Sequence, residues 1–359
     1  MRSTEARALF FGLILFCLPV QAEGWESRWH ETLQAARKER KVVVAGPPEA
    51  SIRQALPTKF TARLGIPVEY LGGRGGEMRQ RIIREHNAGI YTIDVYLGGD
   101  PLLYRAKVLA PLKPELILPE VVDPTKWEKG KLWFMDPEEK YVLRLFNNLV
   151  AVFDINTRYV RPEEIRSVQY FLDPKWKGKI SAYDPTISGT GNSRATYFYL
   201  LFGEAFIKKL YIEQRPVITR DRRQMGDWLA RGTYPIAIGA QSEEVEHLRK
   251  EGFPVMQLNN LPDAAGYLSA GSGLISLLAK APHPNAARLF VNWLASREGV
   301  ETYARAQLDN PLRDDIDKSF LDPDTIPRPG VEYRFDSANW DFQLHVREKI
   351  RLRMKELLQ

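Results

Sequence analysis

The sequence predicts an α/β fold of two lobes, with mainly parallel sheets joined by a hinge, and three observations carry that expectation. Short apolar strand patterns alternate with helical ones over most of the 359 residues, as parallel strands linked by helices require. The chain is too long for one ordinary hydrophobic core, which argues for two. Finally, the segments build one α/β unit, cross to a second, and return to the first through residues 269–278.

Ahead of the first unit, Arg2 and Arg7 flank the start of an apolar stretch from Ala8 to Val20, and Val20-Gln21-Ala22 leads to Glu23. A basic end, a short apolar core and a small-residue exit make a secretory signal over residues 1–22, removed before Glu23. The apolar stretch is shorter than the roughly 18 residues a membrane span needs. Cys17, the one cysteine, leaves with it, so the mature chain is expected to hold no disulfide and no thiolate metal site.

The first lobe is expected over residues 23–146 plus 270–312. Trp25–Lys38 reads as a helix, Val42–Ala45 as a buried strand stopped by Gly46-Pro47-Pro48, and Ser51–Leu64 as a second helix. Ile66–Leu71 is a strand, Gly72–Gly76 a loop, Glu77–Asn87 a helix, and Ile93–Leu97 a strand closed by Gly98-Gly99-Asp100. Six prolines between Pro101 and Pro137 predict an irregular connection with short helices. Extended segments at Tyr141–Phe146 and Leu149–Phe153 then lead into the second lobe, expected over residues 147–269. That lobe holds strands at Lys179–Tyr183, Tyr234–Ile238 and Pro254–Leu258, with helices from about Asn192 and over Ser242–Lys250. Back in the first lobe, Pro284–Ala295 puts Ala287, Phe290, Val291 and Leu294 on one helical face, with Pro284 in its first turn and His283 as a candidate cap. Residues 313–359 read as a linker followed by an amphipathic helix that packs on the lobes. The hinge falls near residues 146–150 and 266–273.

Composition narrows the function. With 44% hydrophobic and 27% charged residues the chain is an ordinary globular one. The 51 basic and 45 acidic residues are mixed along it, whereas a nucleic-acid binder concentrates its basic residues in a stripe or patch. His30, His86, His247, His283 and His345 are scattered, with no zinc spacing, and no Gly-x-Ser-x-Gly elbow is present. Nothing selects a catalytic pair; Glu163-Glu164 and Glu243-Glu244 read as solvated helix carboxylates. No enzyme activity and no cofactor are expected.

Several segments together carry a family resemblance. They are Lys41–Val44 after the opening helix, Phe171–Ile180, Asp184-Pro185 with Ser188-Gly189-Thr190-Gly191, Gly232–Gly239, and Pro282–Leu294. In this order they resemble the extracellular solute-binding proteins of ABC importers, in the type II cluster that includes the ferric-ion binders. The resemblance implies a Venus-flytrap closure of two lobes around a small-molecule ligand in the periplasm. It also implies handover to an inner-membrane permease with its ATPase. A monomer is expected. The iron-binding members place a tyrosine pair after the strand matching Tyr234–Ile238; here the stretch reads Gly239-Ala240-Gln241-Ser242-Glu243. That departure argues against ferric iron. Two alternatives stay open: a ferric-ion or metal-chelate binder, and a periplasmic solute sensor serving a membrane receptor.

The candidate ligand contacts follow from the strand ends and helix starts that such lobes turn toward their cleft. Ser188, Gly189, Thr190, Gly191 and Asn192 open a helix, where free N–H groups and the positive helix end suit an anion. Arg74 sits in the glycine loop as a possible anion partner, although the loop lacks the Gly-Lys-Ser/Thr ending of a nucleotide site. Asp100 is a strand-end carboxylate, and Gln241 and Ser242 stand where the family places ligand groups in the second lobe. Arg313 reads as an exposed ion-pair residue. A small anionic solute is the expected ligand.

Overall fold

A computed structural model describes residues 24–333 and 335–359; the expected signal peptide and Cys17 lie outside the described residues. In chain order the strands are β1 (Val42–Gly46), β2 (Val68–Gly72), β3 (Val95–Tyr96), β4 (Leu109–Ala110), β5 (Trp133–Phe134), β6 (Val142–Arg144) and β7 (Asn148–Val150). They continue as β8 (Phe153–Asn156), β9 (Ile180–Tyr183), β10 (Val217–Thr219), β11 (Ile236–Ile238), β12 (Val255–Leu258), β13 (Tyr267–Ser269) and β14 (Leu274–Leu278).

The first lobe is built on a sheet ordered β2-β1-β3-β14-β6-β5, with β4 also paired to β14. The second is built on β10-β9-β11-β8-β12. Pairs made by helix-linked strands are parallel, as in β1 with β2 and β3, and β9 with β10 and β11. Strands that arrive by crossing between lobes run the other way. Thus β14 is antiparallel to β3, β4 and β6, and β8 is antiparallel to β11 and β12. Between the lobes, β7 and β13 form a two-stranded antiparallel ladder that pairs Tyr267 with Val150 and Ser269 with Asn148.

Each sheet carries its own core. The β-branched run Val42-Val43-Val44 is buried on both faces, which is what a central strand covered by helices requires. Above it Phe60 meets Phe290 and Trp293 edge-on, at 5.1 and 5.4 Å between ring centroids. In the second lobe Phe153 stacks on Phe171 at 3.9 Å and touches Phe198 at 5.1 Å. Burying one such side chain stabilises the fold by roughly 1.5–3 kcal/mol.

Some elements departed from expectation for identifiable reasons. His283 makes no side-chain cap at the Pro284–Ala295 helix. The carboxylate of Glu39, from the end of the opening helix, accepts the Asn285 and Ala286 N–H groups instead. A further helix, Arg297–Gln307, follows at once because Ser296 accepts the Gly299 N–H at its start and donates to the Trp293 carbonyl. The Arg222–Arg231 helix also went unread; Asp221 caps it through the Gln224 N–H. Arg313 is fully buried, not exposed. It forms a bidentate pair with Asp315 at 2.8 and 2.9 Å and donates to the Glu120 and Ala295 carbonyls.

The last segment touches both lobes. Asp336 pairs with the nearly buried Arg144 beside the inter-lobe ladder. Trp340 is buried in a first-lobe cluster, 5.4 Å from the Tyr104 ring. Past the π-helical stretch Phe342–Arg347, the helix Glu348–Leu357 buries Ile350 and Met354 in the second-lobe core.

Candidate functional site

A cavity of about 640 Å³ lies between the lobes, floored by β7 and β13. Its second-lobe wall is the start of the Thr190–Lys208 helix. The backbone there is unusual: Gly189 adopts φ 145°, which a side chain would strain. Gly191 packs so tightly that a Cβ would stand 2.1 Å from the Tyr183 carbonyl oxygen. The Thr190 hydroxyl donates to the Gly239 carbonyl at 2.5 Å, pinning the helix start to the loop after β11. Ser193 donates back to the Gly189 carbonyl at 3.1 Å.

Seven of the nine candidate residues line this cavity: Arg74, Asp100, Ser188, Gly189, Thr190, Gln241 and Ser242. Gly191 and Asn192 do not. Gly191 is spent on close packing against Tyr183, and Asn192 is buried, donating to the Pro185 carbonyl at 3.2 Å. Asp100 reaches the cavity with its carboxylate already engaged. One oxygen caps the Pro101–Arg105 helix through Leu102 and Leu103, and the other accepts from Arg79 at 2.8 Å. Arg79 thus stands fixed on the first-lobe wall, while Arg74 stays exposed at the head of the Gly75–Asn87 helix.

Sequence reasoning missed several groups on the walls. Glu243 is half-buried and lines the cavity, which the sequence did not show. Burial pushes its carboxyl above the usual range, with the charge of Glu49 across the cleft adding to the effect. Asp309, beside the ladder, is raised further, first by burial and then by Glu243, against hydrogen bonds from Ser272 N–H and Asn148. Arg347 lines the cavity from the C-terminal segment, donating to the Asn192 Oδ1 and the Gly189 carbonyl, each at 2.9 Å. Among the described residues no three His, Cys, Asp or Glu side chains converge as a metal site. Tyr183 and Tyr267 line the cavity, so two phenol rings are present without the tyrosine pair of the iron binders.

The sequence profile of the bacterial extracellular solute-binding proteins matches residues 45–301, which span both sheets and the inter-lobe ladder. The chain belongs to this family. An uncharacterized protein of Haemophilus influenzae is 28% identical over 261 residues, 67% of this chain and 69% of that one. Among the solved structures that share the fold are two periplasmic binding proteins. The periplasmic binding protein AfuA of Actinobacillus pleuropneumoniae, with fructose-6-phosphate bound, superimposes with TM-score 0.63 at 20% identity. That match covers 88% of this chain and 96% of that one. Iron-bound HitA of Pseudomonas aeruginosa superimposes with TM-score 0.62 at 16% identity, over 89% and 98% of the two chains. The family and these neighbours are binding proteins, not enzymes.

Proposed function

We propose that this protein is the periplasmic component of an ABC importer, capturing a small anionic solute between its lobes as a monomer. The lobes, residues 23–146 with 270–312 and residues 147–269, rotate about the β7–β13 ladder, and the closed form is presented to the permease and its ATPase. Closure is driven by whatever the ligand gains from touching both walls at once. The observation that carries the anion reading is the start of the Thr190–Lys208 helix, which turns Ser188, Gly189 and Thr190 into the cavity. Backbone N–H groups and the positive helix end favour negative charge there. Arg74 and Arg79 stand on the facing wall, and Gln241 and Ser242 add polar contacts beside the helix start.

Thermal shift of residues 23–359 tests this reading. A ligand that binds only the folded state raises the melting temperature. The probes are inorganic phosphate, citrate, fructose-6-phosphate, neutral sugars, amines and ferric ion. A rise with a phosphate or carboxylate, reduced in the Ser188→Ala/Thr190→Ala double variant, is the expected result. A rise with ferric ion alone would replace the anion with a metal bound by other oxygens.

A further inference from the structure

We infer that Arg347, supplied by the C-terminal segment, is the guanidinium that holds the anionic group of the ligand and sets the specificity of the cleft. The inference rests on the anion reading above and assigns that site its charged partner. The family match ends at residue 301, so Arg347 belongs to a part of the chain outside the matched core. It nevertheless reaches the cavity, together with Ser337, Ala338 and Gln343.

Its surroundings leave the positive charge unanswered. Both acceptors of Arg347 are neutral: the Gly189 carbonyl and the Asn192 amide oxygen. Its remaining nitrogen, Nη1, makes no hydrogen bond among the described residues, and no carboxylate there ion-pairs with it. The neighbouring acid, Glu348, is held by Arg351. The cation also sits at the positive end of a helix, where a cation is the disfavoured sign. Burial lowers its proton affinity, opposed next by Tyr267, while the charge of Arg79 on the opposite lobe acts with burial and that of Glu348 against it. A second guanidinium nearby is also incompletely satisfied. Arg194, 2% exposed, lines the same cavity and donates to the Tyr267 hydroxyl at 2.7 Å, but its buried Nε has no partner. Two guanidinium groups without a hydrogen-bonded carboxylate, beside one helix start, fit a multi-oxygen anion. A phosphate or carboxylate bound there would accept from Arg347 Nη1 and the helix N–H groups together, in the charge-assisted geometry that arginine forms best.

The two acceptors also orient the side chain. Gly189 and Asn192 hold two nitrogens of the guanidinium, so the third is presented without loss of side-chain freedom on binding. Lysine keeps the charge but has no fork with which to hold that orientation.

The test is calorimetric titration of residues 23–359 with inorganic phosphate, citrate and fructose-6-phosphate, in the wild type and in Arg347→Gln, Arg347→Lys and Arg353→Gln. Arg353 lies on the helix that follows but pairs with Glu204 and Glu356, away from the cavity. For the probe that binds, Arg347→Gln is expected to weaken affinity about tenfold or more, with Arg347→Lys between it and the wild type and Arg353→Gln unchanged. If Arg347→Gln fails to fold by circular dichroism, the Arg347→Lys loss decides the matter. Wild-type binding with every Arg347 variant within about twofold of it would overturn the role of Arg347 while leaving the anion reading standing. A wild type that binds none of the three anions would overturn both.

Discussion

Thr190 donates its hydroxyl to the carbonyl of Gly239 at 2.5 Å, across the gap between the helix start and the loop that follows β11. The proton is committed inside the protein, so toward a ligand this hydroxyl acts only as an acceptor. The donors to an anion at this wall are therefore backbone N–H groups, the Ser188 hydroxyl and guanidinium. Thr190→Val is expected to cost about 1 kcal/mol of stability from the lost hydrogen bond, read as a lower urea midpoint. Ser188→Ala is expected to leave the midpoint within about 0.5 kcal/mol and to weaken anion binding. A Ser188→Ala variant that bound as tightly as the wild type would remove that residue from the site.

Gly191 allows no side chain. A Cβ there would lie 2.1 Å from the Tyr183 carbonyl oxygen and 2.9 Å from that of Asp184. Both are backbone atoms, which cannot swing aside. Gly191→Ala is expected to destabilise the protein by roughly 2–3 kcal/mol or to displace the helix start. Denaturant titration gives the first outcome, and loss of anion binding in a folded variant gives the second. A variant with wild-type stability and binding would show that the helix start accommodates a side chain at this position.

Asp154 on β8 is fully buried, with Oδ2 unpartnered, and burial pushes its carboxyl from 3.8 up to about 7, against the charge of Arg194. The folded state therefore keeps a proton that the unfolded chain releases. Stability from this group is complete below the unfolded value and is lost as pH rises through the folded one. Urea midpoints measured from pH 4 to pH 8 should decline across that window. Asp154→Asn, neutral throughout, should flatten that slope; an unchanged slope would assign the titration to another group.

Ile350 and Met354 anchor the final helix in the second-lobe core. Met354→Ala is expected to cost about 2–5 kcal/mol, the range for emptying a well-packed buried site. An effect below about 1 kcal/mol would mean that the helix sits on the lobe without belonging to its core. Circular dichroism melts distinguish the two.

Much of the α/β order was readable because local chemistry and tertiary role agree. Val42–Val44 is β-branched and central, Pro284 opens a helix, and the apolar face of that helix is its buried face. The start of the second-lobe helix was readable for the same reason, since glycines and small hydroxyl residues before an apolar face announce a helix end. What stayed hidden depends on partners distant in sequence. Arg347 meets Asn192 from 155 residues away, and Arg313 reaches the Glu120 carbonyl from 193 residues away. An arginine beside carboxylates looks the same on the surface as in a buried socket. The environment of Glu243 was hidden likewise, because the charge of Glu49 that acts on it comes from far upstream. Asn192 resembled a ligand group in composition, but its side chain is used to link Pro185 to Arg347.

The route of the C-terminal segment bears on the range of lobe motion. Trp340 is rooted in one lobe and the helix from Glu348 in the other, with only Asp341 and the π-helical stretch Phe342–Arg347 between them. A coiled turn rises about 1.5 Å per residue, against about 3.3 Å when drawn out. A wide gape would therefore have to unwind that turn or pull Trp340 from its seat. The segment therefore ties the two cores together over a short path, and drawing the lobes apart would load it before either core gave way.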